Sequence, residues 1–197
     1  MRNVSLLMMP VSFRDGFGIL RRWPGAGNGR LWARGAPDRI GERKRCRQES
    51  RMEQVPDEYR RDRRRIPEAR DLQALARMAV RRRLPILLAF MSEDCPYCRR
   101  VESEFLEPMR ISGEYDDKVL MVKVPLDGEG LLRDFDGDRV TPRSLADRYG
   151  VDMVPTLVLV DPQGREIAER LVGLTTPDFY GGYLDAAIDT ALRRMRE

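Results

Sequence analysis

A pair of cysteines between an apolar run and a helical pattern is the feature that most restricts how this chain can fold. Cys95 and Cys98 follow the apolar residues 86–90 after a short polar loop. Cysteines three positions apart lie on one face of a helix, close enough to form a disulfide. If Cys95 opens that helix, its thiolate faces free backbone N–H groups and the positive end of the dipole, which favours a nucleophile. Pro96 suits the first helical turn, where its missing N–H is not needed.

Two other uses of such a cysteine pair compete with the redox interpretation. A structural zinc site needs four Cys or His ligands, and the chain has 3 Cys and 0 His. A monomer would therefore have to add Cys46 and a carboxylate to the pair. Two inert buried cysteines are the second alternative. We prefer the redox interpretation and expect no metal and no cofactor; the lack of His also excludes Cys–His and Ser–His catalysis.

The basic charge of the chain belongs to its N-terminal segment. The net charge of +4 divides into +9 for residues 1–70 and −5 for residues 71–197. Residues 1–66 are rich in Arg and show no apolar periodicity, so we expect this segment to be disordered, or not to be native if translation starts at Met52. Its arginines are typical of solvated charge, and no specific nucleic acid is expected as a partner.

Localisation is left open by the sequence. Residues 4–11 form a short apolar run after Arg2, but no clear cleavage site follows it. The protein is expected to be periplasmic or secreted if a signal exists, and cytoplasmic otherwise. No stretch reaches the roughly 18 apolar residues of a membrane span.

Residues 67–197 are predicted to form one domain of alternating helices and strands. Strands are predicted at residues 86–90, 119–124, 154–160 and 165–172. Two helices have predicted buried faces: Leu72, Leu75, Ala76, Ala79 and Val80 in the first, and Tyr183, Leu184, Ala187, Ile188, Ala191 and Leu192 in the last. The helix after Cys95 should end near Pro108, since proline disfavours helix in the residue before it. Thr141 should cap a short helix that ends at Gly150.

An acidic stretch at residues 126–142 interrupts this pattern. Its aspartates at every second position from 134 to 138 have the spacing of a calcium loop. Arg139 and Leu145 stand where such a loop needs Gly and Glu. A surface insertion is therefore predicted.

This order of elements resembles the thioredoxin superfamily over residues 68–195. The resemblance is carried by the apolar strand before Cys95-Pro96-Tyr97-Cys98, by Val154-Pro155-Thr156 at the start of a later strand, and by a hairpin with Gly173 beyond it. It implies a three-layer α/β/α fold around a central mixed sheet of about four strands. The layout is similar to that of secreted, sulfur-oxidation-associated thioredoxins.

The resemblance also implies roles for individual residues. Cys95 attacks a substrate disulfide and Cys98 resolves the mixed disulfide, so that the pair cycles through a Cys95–Cys98 disulfide. The bond before Pro155 is cis, and the backbone of Val154 pairs with a substrate strand. Pro96 and Tyr97 complete the substrate-binding residues. Cys98 is expected one turn inside the helix, shielded by Tyr97 and Val101.

One position departs from the family pattern. Thioredoxins carry a buried acid six residues before the first active cysteine, where this chain has Ala89. No internal base is therefore expected beside Cys98. Glu93 and Asp94 should in addition oppose the Cys95 thiolate by like charge.

Three functional hypotheses follow. The first is a monomeric thiol–disulfide oxidoreductase whose partners are protein thiols or disulfides and an upstream redox protein. The second is a binding module or holdase that uses the groove at Pro155 without turnover, motivated by the missing acid at Ala89 and by the Arg-rich segment. The third is a glutathione-dependent, glutaredoxin-like reductase, because Cys-Pro-Tyr-Cys is also familiar from glutaredoxins.

Overall fold

The structure is a computed structural model that describes residue 62 and residues 64–197. The expectations for the Arg-rich segment, for a secretion signal and for Cys46 lie outside the described residues. The helices are α1 (Leu72–Arg82), α2 (Pro96–Val101), α3 (Glu107–Ser112), α4 (Pro142–Arg148) and α5 (Pro177–Arg196). The strands are β1 (Ile86–Met91), β2 (Leu120–Pro125), β3 (Leu132–Arg133), β4 (Arg139–Val140), β5 (Thr156–Val160) and β6 (Leu171–Val172).

The main sheet is mixed and has four strands in the order β2-β1-β5-β6. Strand β1 is parallel to β2 and antiparallel to β5, and β6 pairs antiparallel with β5 at the edge. All six residues of β1 are buried, as expected for an apolar run at the centre of a sheet. The predicted four-stranded mixed sheet is therefore confirmed.

The two faces of β1 pack against different helices. Ile86, Leu88 and Phe90 belong to the apolar cluster that includes residues of α1 and α4. Leu87 and Ala89 belong to the opposite cluster, which contains Cys98, Val101 and the buried residues of α5. Successive side chains of a strand point to opposite faces, so the sheet separates two cores in a three-layer fold. The cysteine pair lies on the α5 side.

The helix that carries the cysteine pair does not end at Pro108. It continues through a π-helical turn, Glu102–Leu106, directly into α3, in which Pro108 lies in the first turn. In a regular α-helix the ring of Pro108 would meet the carbonyl group of Glu104. The wider π turn separates these groups, so the predicted helix end near Pro108 is wrong.

The buried faces of two helices and the extent of one strand also differ from the sequence pattern. Val80 and Tyr183 are exposed, whereas Met78 and Tyr180 are buried, because each helix is rotated slightly from the predicted stripe. The predicted return strand at residues 165–172 is regular only in β6. After Ile167, whose N–H donates to the Leu159 carbonyl at 2.9 Å, the chain leaves the sheet edge.

The acidic stretch forms a small structure of its own. Strands β3 and β4 pair antiparallel, and the turn between them is built on the carboxylate of Asp134, which is buried. This carboxylate accepts hydrogen bonds from three backbone N–H groups, those of Asp136, Gly137 and Asp138, at 2.8–3.1 Å. It also accepts one from Arg148 Nη1 at 2.7 Å. The predicted surface insertion therefore contains a buried anchor.

The chain just before α1 is tied to the sheet. Ile66 is 4% exposed and belongs to the cluster that contains Cys98. The Lys123 N–H donates to the Pro67 carbonyl at 2.8 Å, and the Ala69 N–H donates to the Lys123 carbonyl at 2.8 Å. The domain boundary after residue 66 stays a prediction. Ile66 itself, however, is part of the core of the domain.

This placement predicts a difference between two truncated proteins. The protein that lacks residues 1–66 is expected to have a free energy of unfolding about 1.5–3 kcal/mol lower than the protein that lacks residues 1–61, because Ile66 no longer covers the core. Urea denaturation of both proteins measures the difference, and equal stabilities would contradict the role given to Ile66.

Candidate active site

Cys95 occupies the residue that caps α2. Its backbone is extended (φ −87°, ψ 112°), and its Sγ accepts a hydrogen bond from the Cys98 N–H at 3.2 Å. Pro96 follows in the first turn. The sulfur thus satisfies one of the backbone donors that a helix start leaves free. The arrangement has the geometry that the sequence spacing predicts.

Cys98 has a different environment, although it is only one turn away. It is 2% exposed, whereas Cys95 is partly exposed, and both are present as free thiols. Burial, and next the hydrogen bond with Cys95, raises the pKa of the Cys98 thiol to about 12. The two cysteines are therefore chemically unequal, with Cys95 the accessible member of the pair.

The segment at Pro155 lies directly beside Cys95. The Val154–Pro155 peptide bond is cis. Cys95 Sγ donates to the Val154 carbonyl at 3.8 Å, across 59 positions of sequence. The Pro155 carbonyl accepts the Gly173 N–H at 2.7 Å, which ties this segment to the end of β6. The structure thus brings together the two motifs on which the resemblance depends.

Three exposed apolar side chains lie near this site in the chain. Tyr97 is 57% exposed, and Met153 and Val172 are exposed next to the segments that carry Val154 and Gly173. Tyr97 is therefore not what buries Cys98, contrary to expectation. Adjacent helical residues point about 100° apart, so Tyr97 faces solvent while Cys98 faces the core beside Val101.

A cavity of about 200 Å³ lies behind Cys98, and sequence reasoning missed it. Its wall includes Cys98, Glu102 and Lys123. Lys123 Nζ and Glu102 Oε1 form an ion pair at 3.0 Å. Lys123 pairs in register with Ala89, so it lies beside the strand position at which the sequence lacks an acid. The available signal in the sequence was Lys123 itself, because it is the one charged residue of the apolar strand β2.

A buried tyrosine closes the other side of the pair and was also missed. The ring of Tyr180 lies 4.9 Å from that of Phe105, centroid to centroid. Burial, and to a smaller extent the charge of Cys98, raises the pKa of Tyr180. Among the described residues, its hydroxyl group has no hydrogen-bond partner. Its position four residues before Leu184, at helical spacing, was the available signal.

The described residues, 62 and 64–197, were also compared with the requirements of a metal site and of a membrane span. They contain no group of three or more His, Cys, Asp or Glu side chains that is arranged to hold a metal ion. None of the helices in this part of the chain is long and apolar enough to cross a membrane.

Comparisons with known proteins place the chain among similar domains. A family model described as a thioredoxin-like domain matches residues 72–188. Three similar solved structures are a thioredoxin of Malassezia sympodialis (21% identity, 55% of this chain and 75% of that chain, TM-score 0.38), a thioredoxin of Fasciola hepatica (20%, 61% and 96%, 0.39) and thioredoxin-2 of the malaria parasite (18%, 52% and 82%, 0.38). No curated protein sequence matches the chain.

Proposed function

This chain belongs to the thioredoxin-like domain family, and we propose that it is a thiol–disulfide oxidoreductase that acts on protein substrates through Cys95 and Cys98. The observation that carries the proposal is the inequality of the two thiols. Cys95 caps a helix, is partly exposed and lies 3.8 Å from the Val154 carbonyl, whereas Cys98 is buried one turn behind it. An attacking and a resolving thiol need this arrangement.

The exchange takes place in two steps. The Cys95 thiolate attacks one sulfur of a substrate disulfide, a mixed disulfide forms, and the other substrate sulfur leaves as a thiolate. Cys98 then loses its proton and attacks Cys95 Sγ, which forms the Cys95–Cys98 disulfide and releases the second substrate thiol. The substrate gains two electrons and the protein loses them; the reverse sequence oxidises a substrate dithiol.

The proposed substrate-binding surface consists of the segment at Val154 and of the two residues that follow Cys95. The Val154 backbone is beside the sulfur, and Val154 itself is only partly buried. A substrate strand that pairs with this backbone would bring its disulfide to Cys95. Pro96 and Tyr97, which follow Cys95 in the chain, are exposed and complete the proposed substrate-binding surface.

One observation favours a second candidate function, a binding module or holdase without turnover. Tyr97, Met153 and Val172 expose apolar surface around the pair. Such a surface can hold an unfolded chain whether or not the cysteines react.

Reduction of insulin by dithiothreitol separates the two candidates. An oxidoreductase is expected to accelerate precipitation of the reduced insulin chains at catalytic concentration, and Cys46→Ser should leave the rate unchanged. A holdase would delay precipitation instead and would do so equally with both cysteines replaced by serine. If only glutathione with glutathione reductase supports turnover, the glutaredoxin-like hypothesis replaces the proposal.

A further inference from the structure

The wall of the cavity behind Cys98 includes the carboxylate of Glu102, which has no role in the two exchange steps described above. Cys98 is buried from the outer surface, so its proton cannot leave by the route through which substrate reaches Cys95. The cavity touches Cys98 from the other side and has a volume of about 200 Å³. A water molecule in a liquid occupies about 30 Å³, so several can occupy this polar space.

Glu102 is placed on the Cys98 side of the cavity by the helix itself. The Glu102 N–H donates to the Cys98 carbonyl, so one helical turn separates the two residues and their side chains lie on the same face. The π turn begins only at Glu102 and does not disturb this relation. Lys123, from β2, holds the carboxylate at 3.0 Å. The carboxylate is therefore held in place on the wall that it shares with Cys98.

We infer that Glu102 accepts the proton of Cys98, through water in the cavity, as Cys98 attacks the mixed disulfide. This inference rests on the proposed oxidoreductase function. The Cys98 S–H bond breaks, and its proton passes to water while that water gives a proton to the Glu102 carboxylate. The sulfur electron pair forms the bond to Cys95 Sγ, and the bond to the substrate sulfur breaks with its electrons on the leaving thiolate. Solvent later removes the proton from Glu102.

The other charged groups of the cavity fit this role less well. Glu93, in the loop after β1, is exposed, so its charge lies in solvent. Arg99, on α2, uses Nη1 to donate to the Glu93 carbonyl at 2.9 Å and is a cation. Lys123 is also a cation, and it holds the Glu102 carboxylate through their ion pair at 3.0 Å. Burial raises the pKa of Cys98 and makes a nearby acceptor necessary near neutral pH.

The test follows the two steps separately with Ellman's reagent as the disulfide, in a Cys46→Ser background. Attack by Cys95 releases one thionitrobenzoate, and resolution by Cys98 releases the other, so stopped-flow absorbance gives two phases. Glu102→Gln is expected to leave the first phase unchanged and to slow the second by about 100-fold near pH 7. The difference should shrink as the pH rises, because hydroxide then removes the Cys98 proton directly.

Two matched controls and the pH profile decide the outcome. Glu104→Gln removes an exposed carboxylate of the same helix, which pairs with Arg100, and should change neither phase. Glu93→Gln, which removes the other carboxylate of the cavity wall, should leave the second phase unchanged. A second phase slowed equally at every pH, a second phase unchanged by Glu102→Gln, or the same pH-dependent loss in Glu93→Gln would overturn the inference. If the unsubstituted protein releases no second thionitrobenzoate, the proposed function itself fails.

Discussion

Cys98→Ser is expected to convert this protein into a trap for its substrates, whereas Cys95→Ser should retain none. Without Cys98 the mixed disulfide at Cys95 cannot be resolved from within the protein, so it persists until an outside thiol attacks it. In a Cys46→Ser background, the thiol that remains without Cys95 is Cys98, which is buried and cannot reach a substrate. Both variants should lose insulin reduction to the background rate. Non-reducing gels of cell extract passed over each immobilised variant show the difference.

Alkylation provides an independent measure of the same inequality. Burial raises the pKa of the Cys98 thiol to about 12, so little of it is ionised near pH 7, and the thiolate is the form that reacts. Cys95 is partly exposed, and its sulfur accepts a backbone N–H. Iodoacetamide should therefore label Cys95 first, as peptide mass spectrometry can show. Faster labelling of Cys98, or no trapping by Cys98→Ser, would reverse the roles and favour the binding-module alternative.

The second large effect is expected on stability, from Asp134→Ala. This substitution leaves three backbone N–H groups without their common acceptor inside the turn between β3 and β4. Hydrogen bonds to a charged group are worth more than neutral ones, so we expect a loss of about 3–4 kcal/mol in the free energy of unfolding. Urea denaturation at neutral pH measures it. Asp136→Ala, at an exposed position of the same turn, is the matched control and should cost little.

The same carboxylate predicts a dependence of stability on pH. Burial raises the pKa of Asp134, but the hydrogen bond from Arg148 and the backbone N–H groups of Asp138 and Gly137 outweigh it, and the pKa lies below its ordinary value. A lowered pKa stabilises the fold above the unfolded value of about 3.9, and this stability is lost as the pH falls through the folded value. Asp134→Asn should remove this part of the acid sensitivity; an unchanged acid profile would contradict the assignment.

Local signals predicted the elements that hold the cysteine pair. The apolar run before Cys95, the proline after it, and Thr141, whose hydroxyl accepts the Ser144 N–H at 3.1 Å, each determine structure within a few residues. The helix boundary at Pro108 failed for the opposite reason. A proline ends a helix when nothing compensates for it, and here a π turn does so while the apolar residues on both sides stay on the core.

The back of the site could not be predicted because it is assembled across the sheet. Glu102 and Lys123 come from a helix and a strand 21 positions apart, and although Lys123 is the one charged residue of β2, no sequence pattern pairs it with Glu102. Ala89 predicts that no base lies beside Cys98 on its own strand, whereas the proposed acceptor, Glu102, lies on the helix that carries Cys98. The position of Lys123 opposite Ala89 follows from the parallel register of β1 and β2, which sequence pattern alone does not specify.

The π turn between Cys98 and Pro108 also determines which residues of α3 face the core. A π turn holds one residue more than an α turn, so α2 and α3 are out of step by one residue although they share an axis. Cys98 and Val101 before it, Leu106 at its last position and Met109 after it nevertheless all reach the same core. Loss of any one residue between 102 and 106 would bring the helix back to regular spacing and rotate one half away from the sheet. The length of this segment, more than the identity of its residues, therefore keeps both halves of the helix aligned with the site.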